Sequence, residues 1–142
     1  IEALLQRNKQ KKLWITGHSL GGAMANLCAS RLEEKEPSLY TYGSPRVGGQ
    51  EFCDGMDVKH WRFVNNNDIV TKVPFWFMGY RHHGIEWYIN YYGNVRDHTY
   101  WQRVKDSWRG RWKSIKKRQL FDGMYDHSIT GYADKLLKIL RS

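Results

Sequence analysis

The pentapeptide Gly17-His18-Ser19-Leu20-Gly21 constrains this chain more than any other stretch. Ahead of it, Lys11-Lys12-Leu13-Trp14-Ile15-Thr16 is short and rich in β formers and reads as a strand. Behind it, Ala23 to Glu34 reads as a helix, with small residues nearest the turn and Pro37 closing it. A G-x-S-x-G turn between a strand and a helix has the form and the context of a nucleophile elbow. The logic is geometric. A sharp strand-to-helix turn lifts the Ser19 hydroxyl above the sheet edge. Both flanking glycines are expected because a Cβ at either would strike the neighbouring strand or helix. The Leu20 amide then points, at the helix N-terminus, to where an oxyanion would form. The bland alternative is a glycine-rich turn with an incidental serine. The strand before, the helix after and the Gly22-Ala23 pair weigh against it.

The rest of the chain fits around that turn. Leu39-Tyr40-Thr41-Tyr42 reads as a second strand, followed by a loop from Gly43 to Gly49. Lys59 to Asn65 reads as a third, with the loop Asn65-Asn66-Asn67-Asp68 after it. Strands alternating with helices predict βαβ units and a mostly parallel sheet, an α/β fold. Past Pro74, Tyr80-Arg81-His82-His83 and Glu86-Trp87-Tyr88-Ile89 read as a hairpin turning at Gly84. Residues 99–118 are helix-like. Ser128 to Leu140 reads as a final helix, with Ile129, Tyr132, Ala133, Leu136, Leu137 and Leu140 on one face. Ile1 to Gln10 reads as the tail of a helix already under way, with no initiator Met. Residues 1–142 are therefore expected to form one N-terminally truncated domain.

Composition narrows the class. Hydrophobic residues make up 41% and aromatics 15%, which supports a packed core and excludes a disordered chain. No apolar run approaches the roughly 18–20 residues of a membrane span, and no secretory leader is visible, so the sequence assigns no location. Cys28 and Cys53 have neither metal nor redox spacing, and two free thiols are expected. The formal net charge of +9 favours anionic partners, whether phospholipid surfaces, acidic substrates or nucleic acid, without choosing among them.

A serine hydroxyl is a poor nucleophile until a base takes its proton, and the base needs an orienting acid. In α/β hydrolases these follow in the order serine, acid, histidine. Asp68 suits the acid because it directly follows the strand ending at Asn65. Asp54 and Asp57 precede that strand, and Asp97 sits in a polar turn. An Asx turn in a surface loop is the alternative for Asp68. Of the six histidines, His18 adjoins the nucleophile and cannot swing back onto it, and His60 precedes the acid. His82 and His83 sit on the expected hairpin, where one should face inward. His98 and His127 are left, in the near-echoes Asp97-His98-Thr99-Tyr100 and Asp126-His127-Ser128-Ile129.

At this point a family resemblance enters. Thr16 to Ala23 is similar to the nucleophile motif of the class 3 (fungal-type) lipases, and Tyr42-Gly43-Ser44-Pro45-Arg46-Val47-Gly48 to that family's next loop. Phe63-Val64-Asn65 with Asp68-Ile69-Val70 and Val73-Pro74 resembles its acid loop. Tyr80 to Gly84 with Glu86-Trp87 resembles the strand pair that follows, and Asp126-His127 with Tyr132 resembles its late histidine motif. The resemblance implies an α/β-hydrolase fold and a triad of Ser19, Asp68 and His127, with the Leu20 amide in the oxyanion hole. It also implies a serine-dependent carboxylic ester hydrolase acting on lipid esters through an acyl-enzyme, without metal or organic cofactor. The substrate stays open between triacylglycerol, phospholipid (a phospholipase A1), galactolipid and short esters. The family's early strands, lid and first oxyanion-hole residue have no counterpart after Ile1, so the chain reads as the C-terminal part of the fold.

One segment departs from the family. Trp101, Val104, Trp108, Trp112 and Ile115 form a helical stripe among eight basic residues, Arg103, Lys105, Arg109, Arg111, Lys113, Lys116, Lys117 and Arg118, against the single acid Asp106. Such a helix can lie on an anionic membrane surface, although a helix docked by its tryptophans with solvated charges is the favoured reading. The rival to an enzyme is a non-catalytic lipid-surface or nucleic-acid-binding module on the same fold. Nucleic acid is not the expected partner, because a binding module has no use for a nucleophile elbow.

Overall fold

A computed structural model of the chain describes residues 2–8, 11–65, 68–90, 95–96 and 127–141. The expected helix at 99–118, with its Trp101–Arg118 stripe, and the Asp97-His98 pair lie outside the described residues. In chain order the elements are α1 (Glu2–Arg7), β1 (Trp14–His18), α2 (Leu20–Ser30), β2 (Ser38–Tyr42), α3 (Gln50–Gly55), β3 (Lys59–Asn65), β4 (Ile85–Ile89), β5 (Val95–Arg96) and α4 (Ile129–Leu140). The strands form one sheet in the order β1-β2-β3-β4-β5. β1 to β4 run parallel, as the alternation of elements predicts, and β5 runs antiparallel to β4.

Small residues let α2 lie close on one face of β1 and β2. Its buried residues, Gly22, Ala25, Asn26 and Ala29, recur at the spacing of one helix face. Ala25 and Ala29 join Leu39, Met56 and Val58 in the core, with Ile15 and Phe52 packed against it. Alternation along the strands sends a different set of side chains to the other face. There Trp14 stacks on Tyr40 and Tyr40 on Trp61, with centroids 5.5 and 4.9 Å apart, and Tyr42 stacks on Phe63 at 5.1 Å. Such pairs contribute about 0.5–1.5 kcal/mol each beyond their burial.

Several elements differ from the sequence reading. β1 runs into the glycine motif, because Gly17 and His18 pair with Thr41 and Tyr42. α2 begins at Leu20 rather than Ala23, since the N–H groups of Gly22 and Ala23 already bond the Ser19 carbonyl at 2.9 and 3.3 Å. It ends at Ser30, and a separate 3-10 turn at Glu33–Lys35 leads to Pro37. The short α3 gave no clear periodic signal. Cys28 and Cys53 are both free thiols.

The hairpin at Gly84 is not formed. β4 pairs in parallel with β3, and its antiparallel neighbour is β5. Tyr80–His83 makes no strand, only a bridge from Arg81 to Gly48. The connection from Asn65 to Ile85 is instead the crossover that parallel pairing requires. Gly84 has φ +85°, and a Cβ there would fall 2.6 Å from Cγ of His60, so glycine lets the chain pass that buried ring. α4 forms as expected from Ile129, with Ser128 capping it by accepting from the Gly131 N–H at 3.0 Å. Its expected apolar stripe is only partly used: Tyr132 is buried, whereas Ile129, Leu137 and Leu140 are exposed.

Candidate active site

His18, Tyr42 and Phe63 stand in register across β1, β2 and β3. Ser19, Gly43 and the loop after Asn65 therefore leave the sheet from the same C-terminal edge, the edge at which open α/β sheets place their sites. Ser19 adopts φ +56° and ψ −129°. A side chain held at positive φ costs about 1–3 kcal/mol and needs support from its surroundings. One support is the bond from the Ser19 N–H to the Tyr42 carbonyl, 3.0 Å. Another is the pair of glycines that let β1 and α2 meet. A Cβ on Gly17 would strike the Gly21 carbonyl, and one on Gly22 would lie 2.8 Å from Cβ of Ser44. Gly21, expected to need the same space, faces nothing within 4 Å. The second sterically required glycine is thus Gly22. Leu20 is the first residue of α2, where a backbone N–H has no acceptor within the helix.

The three residues singled out in the sequence meet at this edge. Nε2 of His127 lies 2.7 Å from Oγ of Ser19. Nδ1 of His127 lies 3.0 Å from both carboxylate oxygens of Asp68. A carboxylate only accepts, so Nδ1 carries the proton and Nε2 is free to accept from the serine hydroxyl. Asp68 is 0% exposed, and the His127 side chain is 19% exposed. The buried carboxylate is tied down on every side. Its Oδ1 accepts from the Val70 N–H at 2.9 Å and its Oδ2 from the Tyr132 hydroxyl at 2.7 Å. Its own backbone N–H donates to the Asn65 carbonyl at 2.8 Å.

Three contributors were given no site role by the sequence, although Tyr132 and Gly43 stand in motifs that resemble the family's. Tyr132, 1% exposed, read as one member of an apolar helix face, yet its hydroxyl links Asp68 to the backbone N–H of Asn65, 2.9 Å away. Gly43, at φ +58°, leaves room for the pair, because a Cβ there would fall 2.6 Å from Oδ2 of Asp68 and 3.1 Å from Nδ1 of His127. His18 cannot reach the serine, but its Nε2 lies 2.7 Å from the backbone carbonyl of His127. A tyrosine in an aliphatic stripe and a glycine straight after a strand were the available signals.

The remaining described histidines are His60 on β3 and His82 and His83 in the β3–β4 connection. His60 bonds Oγ1 of Thr41 at 2.9 Å and pairs with Nδ1 of His83 at 3.2 Å. His82 donates through Nε2 to the Thr71 carbonyl at 2.7 Å, and the Thr71 hydroxyl donates to the Asp68 carbonyl at 2.9 Å. Burial pushes His60 down to about 3, helped by the charges of His83 and Arg62. Burial likewise pushes His82 down to about 3, with the Arg62 charge second. Two arginines brace the same connection. Arg46 donates to the carbonyls of Lys72 and Pro74, and Arg81 to those of Trp76 and Tyr80. The side chains between them, Phe75, Trp76, Phe77 and Met78, point to solvent, Trp76 at 65% exposure. Among the described residues, no cluster of three or more His, Cys, Asp or Glu could hold a metal ion.

Known proteins share this arrangement of chain. Residues 1–78 match the family described as lipase (class 3). Over 79 residues the chain is 42% identical to the toxin TseL of Vibrio cholerae, covering 52% of this chain and 12% of that protein. Over 94 residues it is 36% identical to the secreted mono- and diacylglycerol lipase A of Penicillium cyclopium, covering 63% of this chain and 31% of the relative. The crystal structure of a lipase from Rhizopus microsporus var. chinensis superposes with a TM-score of 0.58 at 38% identity, over 62% of this chain and 34% of that one. The chain thus spans about a third or less of the length of these relatives. The parallel sheet, its flanking helices and this likeness make the fold that of the α/β hydrolases. With more than half of its residues in the family match and its sheet superposing on a solved member, the chain belongs to the class 3 lipase family.

Proposed function

We propose that the chain carries the catalytic triad of a serine-dependent carboxylic ester hydrolase acting on lipid esters. Ser19 Oγ attacks the ester carbonyl while Nε2 of His127 takes its proton. Asp68 holds the Nδ1–H tautomer and stabilises the imidazolium that forms. The Leu20 amide donates to the developing oxyanion. His127 then protonates the departing alcohol, and water, deprotonated by the same nitrogen, releases the acid from the acyl-enzyme. This chemistry calls for no metal or organic cofactor.

The unbroken hydrogen-bond chain from Ser19 through His127 to the buried Asp68 carries this reading. Two observations support lipid esters as the substrate class. The Penicillium relative is named for mono- and diacylglycerols, and the ridge Phe75-Trp76-Phe77-Met78 beyond Asp68 stays exposed although it is wholly apolar. The test is ester hydrolysis by two variants of the full-length protein. His127→Ala is expected to lose several orders of magnitude in kcat, whereas His98→Ala keeps most of it. An active His127→Ala beside an inactive His98→Ala would move the base to His98. Comparing triacylglycerol, diacylglycerol and phospholipid substrates then ranks the esters.

A further inference from the structure

Resting on the assignment of His127 as the base, we propose that His18 is a positioning residue that fixes His127 against Ser19 and holds it there after the serine has been acylated. His18 makes two contacts with His127. Its Nε2 lies 2.7 Å from the His127 backbone carbonyl. Its ring lies over the His127 ring with centroids 4.8 Å apart and planes 30° from parallel. The opposite partner in the bond is a carbonyl and can only accept, so Nε2 of His18 carries the proton. The His18 ring also forms a T-shaped pair with Tyr132, with centroids 5.9 Å apart.

These contacts supply what the triad bonds leave undetermined. Asp68 anchors one atom of the His127 ring, Nδ1, and Ser19 holds the other nitrogen only while its hydroxyl is free, so in the acyl-enzyme the ring could pivot about Nδ1. The His127 carbonyl lies just outside α4, whose first bond is the one from the Tyr132 N–H to the Ser128 carbonyl. No turn of the helix therefore holds that carbonyl, and His18 does. The anchor is rigid because His18 ends β1 in register with Tyr42. His18 is also covalently next to Ser19, so the nucleophile and the base are tied twice, once side chain to side chain and once at the backbone.

The second tie matters most in the second half of the reaction. Before acylation the Ser19 hydroxyl itself bonds Nε2 of His127. In the acyl-enzyme Oγ is esterified and has no proton to donate, so that tie is lost just when His127 must activate water. The His18 bond to the carbonyl involves neither ring nitrogen of His127 and persists through every protonation state. Deacylation should therefore depend on His18 more than acylation does.

Two variants separate the contacts. His18→Phe keeps a ring against His127 and loses the donor. His18→Gln keeps a donor of similar reach and loses the ring. In the full-length protein, His18→Phe is expected to lower kcat about 10–100-fold, the scale of loss for a misplaced catalytic group. KM should fall with it and acyl-enzyme should accumulate as a burst, because the later step is slowed. His18→Gln is expected to restore most of the rate. Wild-type kcat in His18→Phe would overturn the proposal, and so would equal losses in the two variants or a loss confined to acylation. A second arm needs no turnover. Ring-nitrogen NMR of the inactive Ser19→Ala protein should show His18 with its proton on Nε2, whereas a proton on Nδ1 would overturn the assignment. A wild-type protein without Ser19-dependent hydrolysis would instead count against the hydrolase reading, and the NMR arm would still report the tie.

Discussion

Asp68 illustrates how much of a site is decided by residues that do no chemistry. A carboxylate with no exposure to water needs donors in its place, and here the Val70 N–H, the His127 ring and the Tyr132 hydroxyl provide them. Tyr132→Phe removes one donor to a buried acceptor and the acceptor of the Asn65 N–H. Stability should drop by about 1.5–3 kcal/mol in denaturant titration, and hydrolysis should slow as the carboxylate loosens. A Tyr132→Phe protein as stable and as active as the wild type would show that the hydroxyl is dispensable. At this scale the sequence was most informative where chemistry dictates residue type. Ser19 lay in a turn of recognisable form, Asp68 directly followed a strand, and His127 was one of two candidates separated only by family likeness. Tyr132 and Gly43 stood in motifs that resemble the family's, but their roles were not legible, because these depend on which atoms the fold brings within 3 Å, and periodicity carries no such information.

At the scale of elements, the sheet was readable and the long connection was not. β3 follows its predicted range because a run of alternating β formers ends in a polar loop. The hairpin expected at Gly84 failed because β4 pairs with β3, while Arg81 bridges Gly48 and Arg81 and His82 spend their side-chain donors on backbone carbonyls of the connection. That connection and the β3 histidine packed against it make stability sensitive to acid. His60 and His82 stay neutral in the folded chain down to about pH 3, whereas in the unfolded chain each takes up a proton near the ordinary value of about 6.5. Between these values the unfolded state binds more protons. Stability is therefore full above about pH 6.5 and falls as the pH drops toward 3, by up to about 1.4 kcal/mol per pH unit for each ring. Denaturant midpoints measured from pH 7 to pH 4.5 should trace this loss. His82→Gln, which keeps a donor for the Thr71 carbonyl but cannot titrate, should flatten the slope. An unchanged slope in that variant would contradict the role given to His82.

For the whole molecule, the charge of +9 favours anionic partners, and an anionic lipid surface is one to test. The basic, tryptophan-bearing segment from Trp101 to Arg118 is the sequence's strongest candidate for such contact. Each Lys or Arg near an anionic surface contributes about 1 kcal/mol, an effect that fades within a Debye length. Reversing Arg109, Arg111, Lys113, Lys116 and Lys117 to Glu should weaken binding to phosphatidylglycerol vesicles, most at low salt, and leave hydrolysis of a soluble short-chain ester unchanged. Equal vesicle binding by both proteins at low salt would leave those charges without a role in recruitment. Surface binding and catalysis are separate claims, and the central one is that Ser19 is an activated nucleophile. A fluorophosphonate probe tests it most directly, because it reacts only with a serine whose proton a neighbouring base removes. Mass mapping of the labelled full-length protein should find the phosphonyl adduct on Ser19, and labelling should vanish in Ser19→Ala. An unlabelled wild-type protein, or an adduct on another serine, would contradict the account.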